Sequence, residues 1–263
     1  MRPLCPLVVA IASVLFSVRA TAVDPEELMR QIDVRPRGGD QSMVATWRLI
    51  RHDKSERVRT LRTYWKDYRD RKEQVFSKRV AVFDSPPDIS DTAFLVVSYV
   101  DPNRDDDRWI YLPALRKVRR VAGGDRGQSF FGTDFAYEDL AERTADEDRH
   151  VLLRSELVNG ALHYVVESTP IDSAFPYSKR ILWVNPANAT TSRIEYFDDN
   201  GNESKVLVLD WQNVHGVWDW RRLEMLTLRT GHRTVMEVDR IEHGNGLADA
   251  LFSESAIQLG AHP

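Results

Sequence analysis

The chain contains few polar side chains whose type and spacing could carry out catalysis. Asp134, Glu138 and Asp139 lie close together and could act as an acid/base pair. Carboxylates in this arrangement more often cap a helix or lie solvated in its first turn, and we favour that interpretation. No G-x-S-x-G sequence surrounds Ser129 or any other serine, so the chain has no recognisable nucleophile elbow.

The sequence supports a metal, nucleotide or cofactor site no better than it supports catalysis by carboxylates or serine. The seven histidines are scattered, and none forms an H-x-H, H-x-x-x-H or H-E-x-x-H pair. Neither a P-loop nor a Rossmann glycine pattern is present. Residues 101–107 begin like a calcium-binding EF-hand loop, but Asp106 occupies the glycine position and Leu112 the final glutamate position. We therefore expect a solvated turn there, no metal and no cofactor.

The most distinctive segment is aromatic rather than catalytic. Residues 109–112 and 117–121 predict two short strands of a hairpin. The stretch that follows does not alternate like a strand, and Thr133 or Asp134 could cap a short helix within it. We therefore predict a hydrophobic plug or lid over a sheet. Its aromatic residues are Phe130, Phe131, Phe135 and Tyr137.

The same segment resembles a known family. Its three blocks, W-x-Y-x-P, K-x-R-R and S-F-x-G-T-D-F-x-Y-E-D-L, are similar to those of the LolA-like periplasmic proteins, the outer-membrane lipoprotein-sorting family. The resemblance implies a half-open antiparallel β-barrel whose concave face, partly covered by helices, holds acyl chains. The residues that carry it are Trp109, Tyr111, Pro113, Lys117, Arg119, Arg120, Ser129, Phe130, Gly132, Asp134, Phe135, Tyr137, Glu138, Asp139 and Leu140.

The N-terminus is typical of a secretory signal peptide. Arg2 precedes an apolar stretch over residues 7–16, and Ala20-Thr21-Ala22 provides an A-x-A cleavage site. We expect a signal peptide over residues 1–22 and a single LolA-like lipid-binding β domain over residues 23–263, located in the periplasm. Cys5 lies before the expected cleavage site, so the mature chain would have no thiol nucleophile and no disulfide.

From residue 43 onward the sequence alternates with the period of a β-strand. Ala45, Trp47 and Leu49 share one face of the first strand. Short turns join successive strands, which makes them antiparallel neighbours. We count about eleven strands and predict an all-β fold, a half-open antiparallel barrel.

Helical segments are expected at the mouth of this barrel. Short helices starting at Asp24 and Asp134 would plug or cover the concave face. The tail over residues 247–259 also has helical spacing and could close one end.

Charge is distributed unevenly along the chain. The formal net charge is −4, which argues against a general nucleic-acid role. Residues 54–79 and 116–126 are basic, whereas the chain from Glu195 onward is acidic. A solvated set of strand faces explains this pattern, and so does a basic edge that contacts anionic lipid headgroups or an acidic partner.

Together these features predict a non-catalytic periplasmic carrier for the acyl chains of a lipid or lipoprotein. The resemblance implies an outer-membrane acceptor or an inner-membrane RND-type transporter as partner. Lys117, Arg119 and Arg120 would contact the headgroup or that partner. The residues expected to bind the lipid or form the lid are Trp47, Trp65, Trp109, Tyr111, Phe130, Phe131, Phe135 and Tyr137.

Two other functions remain open at this point. One is an envelope scaffold or interaction protein whose barrel is filled by its own side chains, with the tryptophans as core. The other is a hydrolase of lipid or envelope polymer that depends on Asp139 or Ser129. The lack of a recognisable nucleophile makes the hydrolase the weaker of the two.

Overall fold

The computed structural model describes residues 23–71 and 74–262, and the predicted signal peptide lies outside them. The described residues form thirteen antiparallel strands in one continuous sheet, with two short α-helices, α1 (Pro25–Val34) and α2 (Glu254–Gln258), packed on it. No helix in this part of the chain has the length and apolarity needed to cross a membrane. The strands are β1 (Asp40–Ile50), β2 (Glu56–Asp67), β3 (Val75–Ser85), β4 (Ala93–Tyr99), β5 (Asp107–Leu112), β6 (Lys117–Arg120), β7 (Asp148–Val158), β8 (Ala161–Pro170), β9 (Lys179–Asn185), β10 (Thr190–Phe197), β11 (Glu203–Val214), β12 (Val217–Thr227) and β13 (His232–His243).

The order of the strands leaves the sheet curled but open. β1 and β13 pair with each other in the middle of the sheet. From there β1 to β6 extend in one direction and β13 to β7 in the other. β6 and β7 are therefore the two edges, and they do not pair with each other. The predicted all-β, half-open antiparallel barrel is confirmed.

The sheet has thirteen strands where about eleven were expected. The two short strands of the predicted hairpin are both full members of it. Trp109 lies opposite Arg120 and Leu112 lies opposite Lys117, so that β5 and β6 pair along the whole length of β6.

The two faces of the sheet are covered by different parts of the chain. Ala45, Trp47 and Leu49 of β1 are buried on one face, as their alternation predicts, and we call it the inner face. The outer face of β2 to β4 is also apolar and has to be covered. The tail covers it, placing Phe252 and Ile257 against these strands. We had expected the tail to close one end of the barrel.

The connection between β6 and β7 runs from one edge of the sheet to the other across the inner face. We call this connection, residues 121–147, the plug. Phe130 lies at its centre with no exposed surface. The chain reverses at Phe131 and Gly132, whose φ angles are 48° and 77°. The aromatic plug over a sheet is thus present. The rings around Phe130 are those of Trp47 (6.1 Å between centroids), Phe83 (5.7 Å), Phe94 (5.3 Å), Phe131 (5.0 Å) and Tyr137 (5.7 Å).

The short helix predicted from Asp134 was wrong in its start and its length. Only one 3₁₀ turn forms, Glu138–Leu140. The Asp134 carboxylate does not cap it, because it accepts hydrogen bonds from Thr227 (2.5 Å), Thr234 (2.7 Å) and His232 (2.7 Å) on β12 and β13. These bonds fasten the plug to the sheet.

α1 begins as its sequence predicts. The Asp24 carboxylate accepts a hydrogen bond from the backbone N–H two residues later at 3.0 Å, and Pro25 occupies the first helical position. Leu28 and Met29 are buried against the inner face of β8 and β9. The helix therefore covers part of the inner face that the plug leaves open.

Asp33 holds the last turn of α1 in place. Its carboxylate accepts a hydrogen bond from the Ala145 backbone N–H at 2.8 Å, and Arg69 donates to its carbonyl oxygen at 2.5 Å. Burial raises the pKa of the Asp33 carboxyl to about 6, although the Ala145 hydrogen bond and the charge of Arg37 act to lower it. The ionised carboxylate is therefore less favourable in the folded chain than in the unfolded chain.

We expect Phe130→Ala to destabilise the protein by about 3–5 kcal/mol. Removing the ring leaves a cavity among the five aromatic rings that now pack around it. Urea unfolding followed by tryptophan fluorescence would measure the change. Leu157→Thr, at a side chain that is 72% exposed on β7, should change the free energy of unfolding by less than about 0.5 kcal/mol. A loss below about 1 kcal/mol for Phe130→Ala would contradict a fixed aromatic plug.

The raised pKa of Asp33 gives a pH-dependent prediction. Its neutral form stabilises the fold below the unfolded pKa of 3.8, and this stabilisation is lost as the pH rises towards 6. Asp33→Asn should therefore match the parent near pH 3.5 and be more stable at pH 7.5, by at most about 3 kcal/mol. Asp146→Asn removes an exposed carboxylate of the same region. Its free energy of unfolding should stay within about 0.5 kcal/mol of the parent's at both pH values. A difference between Asp33→Asn and the parent that does not change with pH would contradict the assignment.

Candidate functional site

A cavity of about 260 Å³ lies between α1, the plug and the inner face of the sheet. Met29 and Ile32 of α1 line one side, and Phe130 and Phe135 of the plug line another. The strands contribute mainly aliphatic and aromatic groups, so the walls can bury apolar atoms with little competition from water. The strand residues include Met43, Trp47, Leu61, Leu182, Ile194, Leu207, Leu209, Trp211, Trp220, Leu223 and Met236.

The aromatic residues singled out in the sequence are only partly brought together here. Trp47, Phe130 and Phe135 line the cavity. Phe131 and Tyr137 pack behind Phe130, where they complete the plug. Trp211 and Trp220 also line the cavity and are not among the residues predicted to bind the lipid.

Trp109 and Tyr111 lie on the opposite side of the sheet. Both pack on the outer-face cluster under the tail, whereas Ile110 between them belongs to the inner face. Side chains alternate along a strand, so residues 109 and 111 cannot share a face with residue 110. The structure therefore places these two aromatics outside the cavity wall.

The predicted basic residues lie on the edge strand β6, away from the cavity wall. The Arg119 side chain is 70% exposed and its Nη2 lies 3.4 Å from an Asp125 carboxylate oxygen. Arg120 is similarly exposed and donates to Asp107. Lys117 is also exposed.

A buried charge cluster, which the sequence analysis missed, lies at one part of the cavity wall. The Glu142 carboxylate accepts hydrogen bonds from Arg37 (2.7 Å), Arg79 (3.0 Å) and the indole N–H of Trp65 (3.1 Å). Burial alone would raise the pKa of Glu142, but the two guanidinium groups outweigh it and lower the pKa to about 2. Glu142 is therefore ionised in the folded protein and links the plug to β3 and to the segment after α1.

A second cluster surrounds Asp148 at the start of β7. Its side chain is 1% exposed and accepts hydrogen bonds from Arg143 (2.6 Å) and Arg180. Burial acts to raise the pKa of Asp148, but these two cations lower it. His150 lies close by, with Ser168 Oγ at 2.8 Å from Nδ1 and the Ala145 carbonyl at 2.9 Å from Nε2. Both ring nitrogens of His150 thus have structural partners.

The carboxylates considered for acid/base chemistry also have structural partners. Asp139 is buried and accepts hydrogen bonds from the Ala136 backbone N–H (2.7 Å) and from Tyr177 (2.9 Å). Burial raises its pKa. Glu138 accepts from Arg108 at 2.7 Å. All of these interactions hold the plug in its place on the sheet.

The Ser129 hydroxyl group is similarly engaged. It donates to the Thr133 carbonyl at 2.6 Å, within the plug itself. Over residues 23–71 and 74–262, no group of three or more His, Cys, Asp or Glu side chains is arranged to hold a metal ion.

The chain is similar to three solved structures that cover most of its length. A domain from Vibrio parahaemolyticus, named for outer-membrane lipoprotein sorting, is 26% identical, with a TM-score of 0.82 over 89% of this chain and 98% of that one. A DUF1329 family protein from Desulfovibrio piger is 29% identical, with a TM-score of 0.82 over 89% of this chain and 100% of that one. A LolA superfamily protein from Nitrosomonas europaea shares the fold at 20% identity, with a TM-score of 0.69 over 89% of this chain and 99% of that one.

Family membership follows from a match over most of the described chain. Residues 76–258 match a family model, which describes its members as uncharacterized proteins. No curated protein matches the chain. The match spans β3 to α2, and it includes the plug and most of the cavity wall. The chain belongs to this family of uncharacterized proteins, and its fold is that of the LolA-like, outer-membrane lipoprotein-sorting proteins.

Proposed function

We propose that this protein is a non-catalytic periplasmic carrier that binds the acyl chain of a lipid or lipoprotein beneath α1 and passes it towards the outer membrane. The observation that carries the proposal is the apolar cavity between α1, the plug and the inner face. Each methylene group moved from water into such a cavity contributes about 0.8 kcal/mol. An acyl chain therefore gains affinity in proportion to the length that fits.

The plug occupies only part of the inner face. Phe130 and its neighbours fill the region over β1 to β4 with side chains. Over the other strands, Leu207, Leu209 and Leu223 border the cavity. A protein whose barrel served only as a scaffold would gain stability by filling this space, since cavities lower stability. The unfilled cavity thus favours a ligand over a filled scaffold.

Entry to the cavity is best explained by movement of α1. The plug is fastened by two buried carboxylates, Asp134 within its aromatic segment to β12 and β13, and Asp139 just after that segment to Tyr177. α1 is joined to the segment 145–150 by two hydrogen bonds, in which the Asp33 and Glu26 carboxylates accept from backbone N–H groups of that segment. Elements with fewer buried contacts open more readily. We therefore assign the role of cover to α1 and that of a fixed wall to the plug.

The exposed cations of β6 suit a contact with a partner better than a contact with bound cargo. Lys117, Arg119 and Arg120 lie on an edge strand, where exposed charges also discourage unwanted strand pairing. We propose that they meet an acidic acceptor at the outer membrane or an RND-type transporter at the inner membrane. Charge pairs of this exposed kind act mainly on association rates.

Ile194→Trp should block ligand binding without unfolding the protein. Ile194 lines the cavity, and the larger ring would occupy the space of the acyl chain at a cost in stability of about 1–3 kcal/mol. We expect uptake of a fluorescent fatty-acid probe to fall at least tenfold, while the β-sheet circular dichroism signal is kept.

Val208→Trp provides the matched control for this test. Val208 lies on the adjacent strand β11 with 38% of its surface exposed, and it is absent from the cavity wall. This variant should take up the probe as the parent does. A parent protein that takes up no probe, or an Ile194→Trp variant that takes it up normally, would contradict the carrier proposal.

A further inference from the structure

Arg35 is a cation at the cavity that forms no ion pair with any carboxylate in the described part of the chain. It follows α1 directly, and its guanidinium carbon lies 4.4 Å from the ring centre of Trp211. Its Nη1 donates to the Ala189 carbonyl at 3.3 Å, whereas its Nε is buried without a hydrogen-bond partner among the described residues. In this part of the chain no carboxylate oxygen lies within 4.0 Å of its nitrogens. A charge withdrawn from water without compensation is costly.

The other arginines of the cavity wall are compensated. Arg37 and Arg79 share Glu142, and Arg143 and Arg180 share Asp148. Arg35 differs from all four. Burial and then the neighbouring charge of Arg37 lower the pKa of Arg35 to about 10, although the more distant carboxylates of Asp219 and Glu142 act to raise it. At neutral pH the side chain is still a cation.

Arg35 also borders a second, smaller cleft beside the cavity. Together with Arg37, Arg79 and Trp220 it lines both the cavity and an adjoining cleft of about 30 Å³. Three guanidinium groups thus meet at one end of an apolar space. Arg37 contributes a second buried Nε that has no hydrogen-bond partner within residues 23–71 and 74–262.

The carboxylates at this end lie beyond ion-pair distance of Arg35, and the attraction of Asp219 and Glu142 offsets its burial only in part. Glu142 is already shared between Arg37 and Arg79. Asp219 accepts hydrogen bonds from Gln41 and from the Trp220 backbone N–H, and its Oδ2 lies 3.7 Å from the His243 Nε2. The Asp33 carboxylate accepts from Ala145. An incoming anion would therefore find donors that are not yet used.

We propose that this end of the cavity binds the anionic headgroup, a carboxylate or a phosphate, of a single-chain amphiphile whose tail occupies the cavity. The proposal rests on the carrier function above and specifies its cargo. Guanidinium groups bind both anions through charge-assisted hydrogen bonds. A volume of about 260 Å³ is slightly below the usual range for ligand pockets, which favours one chain over two.

The test compares probes that share one chain and differ in the headgroup. Decanoate, decyl phosphate, decanol and decyltrimethylammonium would be titrated at pH 7.5, with the fluorescence of Trp47, Trp211 and Trp220 in the cavity wall as reporter. The parent should bind decanoate or decyl phosphate more tightly than decanol, and the cationic probe least. The tighter of the two anions identifies the headgroup.

Substitution of Arg35 separates the headgroup from the chain. Arg35→Gln should weaken binding of the preferred anion by about 10- to 100-fold, the value of hydrogen bonds to a charged group, and leave decanol binding unchanged. Unchanged decanol binding also shows that the variant is folded. Arg35→Lys should restore part of the preference, and Arg221→Gln, at an exposed arginine of β12 that does not line the cavity, should bind as the parent does.

Each contrary outcome has a distinct meaning. Equal binding of decanoate, decyl phosphate and decanol by the parent, or an Arg35→Gln variant that loses all probes alike, would overturn the headgroup site. So would inorganic phosphate that binds as tightly as decyl phosphate, because the tail would then play no part. Failure of the parent to bind any probe would instead contradict the carrier function itself.

Discussion

The burial of Phe130 against the inner face of the sheet is the interaction on which the rest of the structure depends. The strand order puts β6 and β7 at opposite edges, so the chain between them has to cross the sheet. Phe130 fixes that crossing over β1 to β4, with five aromatic rings around it. A sheet that does not close must cover its apolar inner face by other means. The plug covers one half of it, and α1 covers the other half more loosely.

Buried charges then determine what the uncovered space can accept. A buried ion pair yields little net stability, because desolvation offsets much of the attraction between its charges. The Glu142 and Asp148 clusters are therefore better understood through what they position than through what they stabilise. Glu142 joins the end of the plug to Arg37 and Arg79. It thereby holds two of the three arginines beside the adjoining cleft, while the third, Arg35, has no carboxylate oxygen of the described residues within 4.0 Å.

Features that depend on local pattern could be predicted from the sequence. Alternation in β1 assigned Trp47 to the buried face, the Asp24-Pro25 pair marked the start of α1, and the density of aromatic residues indicated the plug. The same alternation, counted from Ile110, would have placed Trp109 and Tyr111 on the outer face. This alternation therefore argues against the prediction that Trp109 and Tyr111 bind the lipid.

Features that depend on distant pairing could not be predicted. Asp134 resembles a helix cap locally, yet its partners on β12 and β13 lie about a hundred residues further along the chain. Glu142 meets Arg37 and Arg79 only because the plug crosses the sheet. Nothing in the sequence around Arg35 distinguishes it from the many exposed arginines, since its isolation depends on which carboxylates the fold has already used.

Native mass spectrometry of the mature protein, purified from its own host and followed by organic extraction, tests the central claim most directly. The account predicts a mass increment of one lipid or acylated peptide per chain, which is lost in the Ile194→Trp variant. A protein that carries no such molecule, and that also fails to acquire one from a total lipid extract of the host, would contradict it. The cavity would then be a packing defect beside the plug rather than a binding site.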